Sequence, residues 1–175
     1  MKTCLIVPTE LGSVGRRMLS SCLRAHGHET RLVFIPGLVP VKDGTRYARN
    51  VKFVYSDRLK QMLLEVVQDC DLIGFSVLAQ FYEPLADISD FIRQKLGKPV
   101  VWGRIHAIMW PQSCLAHADL VCLGEGEETL LDIVEGLKPG AGPGVHTGPH
   151  VRPQRPDNKN RFQAASIEPG RLPSS

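Results

Sequence analysis

The sequence has no cysteine pair spaced as C-x-x-C and no C-x-x-x-C-x-x-C triplet, although it contains five cysteines. This absence argues against cysteine-ligated zinc sites and iron–sulfur clusters, so we expect buried, inert thiols. No apolar run approaches the length that spans a bilayer, and the first run, residues 4–7, is too short for a signal peptide. We therefore expect a cytoplasmic protein with no membrane partner.

The chain also lacks a strong charge of either sign over residues 1–137. That part holds 15 Lys and Arg against 16 Asp and Glu, whereas residues 138–175 hold 6 against 2. Aromatic residues make up only 6% of the chain. A nucleic-acid-binding groove combines basic and aromatic residues on a folded surface, so the composition argues against nucleic acid as a partner.

What the sequence does contain is an alternation of short β-rich runs with helical segments. The β-rich runs predict strands at residues 4–7, 31–35, 71–77, 99–102 and 119–123. Apolar residues at helical spacing predict helices at residues 13–26, 57–68, 84–96 and 127–137; the stripe in the first includes Val14 and Met18. This alternation favours a single doubly wound α/β domain over residues 1–137. We expect a five-stranded parallel sheet, flavodoxin-like or Rossmann-like, with the strand order 2-1-3-4-5.

Residues 138–175 differ in kind from the preceding domain. They contain 7 prolines and 5 glycines, few large apolar residues and no sustained periodicity. Such a composition buries too little apolar surface to offset the entropy of ordering, so we expect a disordered tail. Its abrupt start after an amphipathic helix fits a truncated or frameshifted reading of a longer protein. A basic interaction tail is the alternative.

Glycine and small polar residues follow four of the five predicted strands. The stretches are PTELGSVG, FSVLAQFYEP, WGRIHA and LGEGEE. In a doubly wound sheet, ligands bind outside the carboxyl ends of the strands, at the switch point between strands 1 and 3. Glycine lets the backbone approach a ligand closely, so this pattern predicts a binding crevice at that edge.

Three common ligands of such sheets are disfavoured by the residues at these positions. The dinucleotide fingerprint G-x-G-x-x-G is absent, because Glu10 stands where its first glycine would be. A magnesium-binding receiver domain needs an aspartate at the end of strand 3, where this chain has Ser76. A flavin mononucleotide would need a hydroxyl-rich phosphate loop, to which Thr9 and Ser13 give thin support.

Residues 71–137 resemble the cobalamin-binding domain at the N-terminus of cobalamin-dependent radical SAM enzymes, and residues 1–70 resemble it more weakly. The wider family carries D-x-H-x-x-G after strand 1, S-x-L after strand 3 and G-G after strand 4. Here the second motif is Ser76-Val77-Leu78, and the first is replaced by ELGSVG, with Gly12 at the position of the cobalt-ligating histidine. Loss of that histidine is usual in the radical SAM branch. QFYE and GEGE resemble the branch motifs N-F-Y-E-P and G-E-G-E.

The resemblance implies that this chain binds cobalamin, without a protein ligand to cobalt and with the nucleotide tail extended between strands 1 and 3. It implies a stand-alone or truncated module of a methyltransferase-like enzyme, with a separate radical SAM subunit as partner. The cysteine triplet that cleaves S-adenosylmethionine is absent, so neither an iron–sulfur cluster nor catalysis by this chain alone is expected. The implied cofactor-binding residues are Glu10, Leu11, Gly12, Ser13, Val14, Gly15, Ser76, Val77, Leu78, Gln80, Phe81, Gly103, Arg104, His106, Gly124, Glu125 and Gly126.

The stretch after strand 4 departs from the motif of that branch, W-G-G-I-H-[AP]-T. Arg104 and Ile108 stand in place of the second glycine and the threonine. The long side chain of Arg104 would either obstruct the nucleotide tail or pair with its phosphate. A flavodoxin-like redox or scaffold domain with a lost or different ligand is therefore the alternative. His106 either lines the cofactor pocket, as the resemblance implies, or is a hydrogen-bonded turn residue.

Overall fold

The computed structural model describes residues 1–8, 14–36, 55–138 and 150–151. These residues form one sheet with the strand order β2-β1-β3-β4-β5-β6. The strands are β1 Lys2–Pro8, β2 Glu29–Ile35, β3 Leu72–Ser76, β4 Val100–Gly103, β5 Leu120–Cys122 and β6 His150–Val151. Strands β1 to β5 are parallel, which confirms the predicted doubly wound sheet in the order 2-1-3-4-5.

Strand β6 is an addition to the predicted sheet. It pairs antiparallel with β5, so that Val151 lies opposite Val121. It falls within residues 138–175, for which the composition predicts disorder; residues 139–149 and 152–175 lie outside the described residues. Two residues can extend an edge strand through main-chain hydrogen bonds, whatever side chains they carry, so composition does not reveal such a strand.

The helices follow the predicted pattern, with two additions. The helices are α1 Val14–Ala25, α2 Asp57–Val67, α3 Tyr82–Leu96, α4 Ile105–Met109, α5 Pro111–Leu115 and α6 Gly126–Gly136. The ends of α1, α2, α3 and α6 agree with the predicted ends to within about two residues, the ordinary uncertainty of a helix boundary. Helices α4 and α5 were not predicted, because five residues are too few for a helical repeat of apolar positions to appear.

The helices cover both faces of the sheet. Leu63 of α2 and Leu85 of α3 pack on the face that carries Phe75 and Trp102. On the other face, α1 and α6 pack against a second cluster that includes Leu5. Because the central strands are covered on both sides, almost all their residues are buried, and they appear in the sequence as continuous apolar runs.

The buried face of α1 differs from the predicted one. Val14 and Met18 are 68% and 53% exposed, whereas Arg16 and Ser20 are buried. The predicted apolar stripe is therefore wrong for Val14 and Met18. Arg16 is buried with a hydrogen bond to Ser76 of β3, and a polar side chain that finds a partner can face the sheet.

Four of the five cysteines are buried, as the sequence predicts. All five are free thiols; Cys22 is half-buried, and the other four are buried. Burial raises the pKa of the Cys4 thiol to about 12 and that of Cys122 to about 11. These two thiols are therefore neutral at pH 7 and poor nucleophiles.

Candidate functional site

A cavity of about 400 Å³ lies between the sheet and the helices α1 and α6. It reaches the carboxyl ends of β1, β3, β4 and β5, the edge at which the sequence predicts a ligand. The strand residues that line it are Leu5, Val7, Gly74, Phe75, Ser76, Val101, Gly103 and Cys122. The helix residues are Gly15, Arg16, Leu19, Gly126, Glu127 and Leu130, and the connecting segments add Arg104 and Gly124.

The cavity exists because small residues of β3 and β4 face α1 and α6. Successive residues of a strand point to opposite faces of the sheet, so Phe75 and Trp102 project into the α2 and α3 layer. Their neighbours Gly74, Ser76 and Gly103 then face the other layer. The β3–β4 register places Ser76 beside Gly103, so two small residues lie side by side. The aromatic rings fill the space between the sheet and the α2 and α3 layer, whereas the small residues leave space open beneath α1 and α6.

The side chain of Trp102 holds this arrangement in register. It is fully buried, and its Nε1 donates a hydrogen bond to Ser89 Oγ on α3 at 3.1 Å. Ser89 Oγ in turn donates to the backbone oxygen of His117 at 2.6 Å. A slip of β4 by one residue would turn the indole toward the cavity and break this buried chain, so the register is strongly specified.

Glycine has a geometric role at two positions that line the cavity. A Cβ on Gly74 would lie 2.7 Å from Leu5 Cδ2, closer than real contacts allow, so Leu5 would have to move. Gly124 has a φ of +79°, a conformation that residues with a Cβ rarely adopt. Both glycines therefore preserve the shape of the cavity wall.

Arg16 brings a guanidinium group to the cavity wall. The residue is 8% exposed, and its Nε donates to Ser76 Oγ at 3.3 Å. The walls beside it include the apolar side chains of Leu5, Leu19 and Leu130. In such a low-dielectric setting a charge attracts an opposite charge much more strongly than it would at the surface.

Arg104 also lines the cavity, but it is exposed and has an unusual backbone conformation. Its φ is 84° and its ψ is −177°, a region that is essentially restricted to glycine. Arg104 is the single non-glycine residue with a positive φ in the described part of the chain. Glycine would adopt this backbone geometry without strain, whereas the residue here is arginine.

His106 does not line the cavity. Its ring packs between Tyr82 and Trp110, with centroid distances of 4.7 and 5.1 Å. Burial lowers its pKa, so the imidazole is neutral at pH 7. Neither ring nitrogen has a hydrogen-bond partner among the described residues, so these residues do not support the interpretation as a hydrogen-bonded turn residue.

The structure brings only some of the predicted cofactor-binding residues to the cavity. Those that line it are Gly15, Ser76, Gly103, Arg104, Gly124 and Gly126. Those that are described but do not line it are Val14, Val77, Leu78, Gln80, Phe81, His106 and Glu125. Glu10, Leu11, Gly12 and Ser13 lie outside the described residues. The cofactor-binding role of all these residues stays a prediction.

Sequence reasoning missed several residues of the cavity wall. Gly74 had a readable signal, because it alternates with the large Phe75 in the same way as Gly103 alternates with Trp102. Arg16 had none, since an arginine two positions from both Val14 and Met18 lies on the opposite side of the predicted apolar stripe and usually faces solvent. Its hydrogen-bond partner Ser76 lies 60 residues further along the chain.

The described residues contain no group of three or more His, Cys, Asp or Glu side chains that could hold a metal ion. Cys122 lines the cavity, but with its pKa raised to about 11 by burial it is a thiol at pH 7, not a metal-binding thiolate. No helix in the same part of the chain is long and apolar enough to cross a membrane.

Comparison with solved structures gives a neighbour with a similar architecture. A novel cobalamin-binding protein from Desulfitobacterium hafniense DCB-2 matches 79% of this chain with a TM-score of 0.51 and 14% sequence identity. The likeness shows the fold. This chain covers 59% of that protein's length.

A second solved structure is a protein of unknown function from Vibrio parahaemolyticus RIMD 2210633. It matches with 13% identity and a TM-score of 0.35, over 70% of this chain and 91% of that one. A TM-score this low supports no inference. No protein-family model matches this chain, and neither does any curated protein.

Proposed function

We propose that this chain binds cobalamin, with the nucleotide tail of the cofactor in the cavity under α1 and α6. The observation that carries the proposal is the position and shape of that cavity. It lies at the switch-point edge of the sheet, and its floor is kept open by Gly74, Ser76 and Gly103. The Desulfitobacterium cobalamin-binding protein shares the fold, which supports the same conclusion.

The residues present fit a nucleotide tail. A volume of about 400 Å³ lies within the usual range for small-molecule sites, about 300 to 1,000 Å³. The tail consists of an aromatic base, a ribose and a phosphodiester. Leu5, Leu19 and Leu130 offer apolar surface to the base, and the polar side chains of Ser76 and Arg16 lie in the same cavity wall.

We further propose that the cofactor is bound base-off and histidine-off. A base held in the cavity cannot also coordinate cobalt. At the position of the family's ligand histidine this chain has Gly12, which carries no side-chain nitrogen. When bound in this form, cobalamin supplies a cobalt centre with weak axial donation, whose reduced, nucleophilic state is easier to reach.

The proposed activity of this chain is binding rather than catalysis. The chain lacks the cysteine triplet that cleaves S-adenosylmethionine in radical SAM enzymes. We therefore propose a stand-alone or partial module that presents cobalamin to a separate radical SAM subunit of the methyltransferase-like type. We also propose that the protein is located in the cytoplasm.

Equilibrium dialysis of the full chain against three probes tests the binding proposal. We expect cobalamin to bind with one site per chain. Cobinamide, which lacks the whole nucleotide tail, should bind at least about tenfold more weakly, because the cavity contacts are lost. Equal affinity for the two corrinoids would contradict the role of the cavity. Binding of flavin mononucleotide without cobalamin would favour a flavodoxin-like domain instead.

A further inference from the structure

Helix α4 exposes an apolar face beside the cavity. Seven large apolar side chains are exposed in the described part of the chain, and four of them lie within six consecutive residues: Ile105, Ile108, Met109 and Trp110. The first three recur at helical spacing, so they share one side of α4. Residues 105–110 include no Asp, Glu, Lys or Arg. We call these four side chains the α4 face; an exposed apolar patch of this kind marks a binding surface.

The start of α4 is fixed to the carboxyl edge of the sheet. Arg104 lines the cavity and immediately precedes the helix. Val77 N donates a hydrogen bond to Gly103 O at 2.9 Å, and His106 N donates to Val77 O at 3.4 Å. These bonds tie the helix to the ends of β3 and β4. At a rise of about 1.5 Å per residue, a five-residue helix is only about 7 Å long, so the whole α4 face stays close to the cavity.

The indole of Trp110 is held in place although it is exposed. It packs on the ring of His106 with a centroid distance of 5.1 Å, and that ring packs on Tyr82 at 4.7 Å. Ser113 Oγ donates a hydrogen bond to the backbone oxygen of Trp110 at 2.9 Å. A side chain that is already anchored loses little freedom when a ligand covers it, so this geometry favours binding.

The size of the α4 face indicates a flat small-molecule surface rather than a protein partner. A stable protein interface buries about 800 Å² on each side, with about 20 to 30 residues. Four side chains at a five-residue helix provide much less. With the nucleotide tail in the cavity of about 400 Å³, the larger corrin macrocycle lies outside it, at the same edge of the sheet. The macrocycle presents a flat surface that bears methyl groups, which matches a face without charged side chains.

We propose that the α4 face contacts the corrin macrocycle of the bound cofactor. This inference rests on the proposed cobalamin function. It extends the site beyond the residues that the sequence predicted to bind the cofactor, since none of the four side chains is among them. The tail and the macrocycle are thereby assigned to different parts of the chain. Changes at the α4 face should therefore affect cobalamin and cobinamide alike, whereas changes in the cavity should affect cobalamin alone.

The test compares M109Q with a matched control, M62Q, in dialysis of the full chain against cobalamin and cobinamide. Met109 and Met62 are 58% and 57% exposed, and Met62 lies on α2, which packs on the opposite face of the sheet from the cavity. We expect M109Q to weaken binding of both corrinoids about 3- to 10-fold, because an amide replaces an apolar contact. M62Q should alter neither affinity by more than about twofold. Thermal melts establish that both variants fold.

Methionine oxidation of the wild type gives a second readout that needs no variant. Hydrogen peroxide converts accessible methionines to the sulfoxide, and the similar exposure of Met109 and Met62 predicts similar rates in the free chain. Saturating cobalamin or cobinamide should slow oxidation of Met109 at least about fivefold relative to Met62. Mass spectrometry of the peptides measures both rates.

Each outcome has a defined meaning. Unchanged affinities in M109Q, a loss for cobalamin alone, or equal oxidation of Met109 with and without corrinoid would overturn the role of the α4 face while leaving cobalamin binding intact. Oxidation of Met109 that slows with rising protein concentration, without corrinoid, would show that a second copy of the chain covers the face and would also overturn it. If wild type binds neither corrinoid, the proposed function fails, and this inference fails with it.

Discussion

At the scale of single residues, Arg104 has a backbone conformation that favours glycine over a residue with a side chain. Its φ of 84° with ψ near 180° is a conformation that costs a residue with a Cβ about 1 to 3 kcal/mol. Glycine would adopt it without strain, at an entropic cost of about 0.5 to 1 kcal/mol. The balance favours glycine, so the arginine at this position is held in place by the rest of the fold.

We predict that Arg104→Gly raises the free energy of unfolding by about 1 kcal/mol, whereas Arg104→Ala does not. Alanine removes the long side chain but keeps the Cβ that causes the strain, so the pair separates backbone strain from side-chain contacts. Chemical denaturation of the two variants and wild type measures the difference. Equal stability of the Gly and Ala variants would mean that residue 104 is not strained.

The Arg104→Gly substitution should also change the affinity for the ligand. We predict that Arg104→Gly tightens corrinoid binding, because the arginine side chain at the cavity would obstruct the nucleotide tail. Dialysis against cobalamin measures the change, with Arg104→Ala as the partner variant. A loss of affinity in both variants would instead identify Arg104 as a phosphate ligand, worth roughly 1.5 to 3 kcal/mol.

His106 supplies a prediction about pH. Burial lowers its pKa below the ordinary 6.5, so near that pH the unfolded chain binds a proton that the folded chain does not. The free energy of unfolding should therefore decrease as the pH falls through about 6.5. His106→Phe keeps the ring between Tyr82 and Trp110 but removes the titrating group. The decrease in the free energy of unfolding between about pH 8 and about pH 5 should be smaller in His106→Phe than in wild type. An identical pH dependence in the two proteins would contradict this account of His106.

At the scale of elements, the strand ends of β3 and β4 determine where the cavity lies. Each strand places a large aromatic residue on one face and a small residue on the other. This pattern can be read from the letters GFS and WG once the strands are known. The residues of α1 cannot be read in the same way, because buried Arg16 is in contact with β3, which is distant in the sequence. Helical periodicity alone placed Val14 and Met18 on the inner face, where they are not.

We predict that Gly103→Leu blocks cobalamin binding without preventing folding. A Cβ at Gly103 would meet Cys122 Cβ at 3.5 Å, an ordinary contact, and the backbone φ there is not positive. The larger side chain would then occupy the cavity. Affinity for cobalamin should fall at least about tenfold. Gly103→Ala is the matched control and should cause a much smaller loss. Unchanged affinity in Gly103→Leu would exclude the cavity as the binding site of the tail.

At the scale of the whole molecule, the order of the five parallel strands was predictable because short β-rich runs alternate with helices that have clear apolar repeats. Strand β6 was not predictable, since an edge pairing of two residues leaves no mark on composition. The location of the candidate site followed from topology alone, as ligands of doubly wound sheets bind at the switch point. The residues that form the walls of the site could not be predicted in this way. They come from β1, β3, β4, β5, α1 and α6 and meet only in the folded chain.

The central claim is that cobalamin binds with its own base in the cavity and no protein nitrogen on cobalt. Electron paramagnetic resonance of cob(II)alamin bound to the full chain tests this claim most directly, with free cob(II)alamin in the same buffer as the reference. The account predicts a spectrum without superhyperfine splitting from an axial nitrogen, because the base is held away from cobalt and Gly12 offers no imidazole. Splitting from an axial nitrogen, whether of a histidine or of the cofactor's own base, would contradict it.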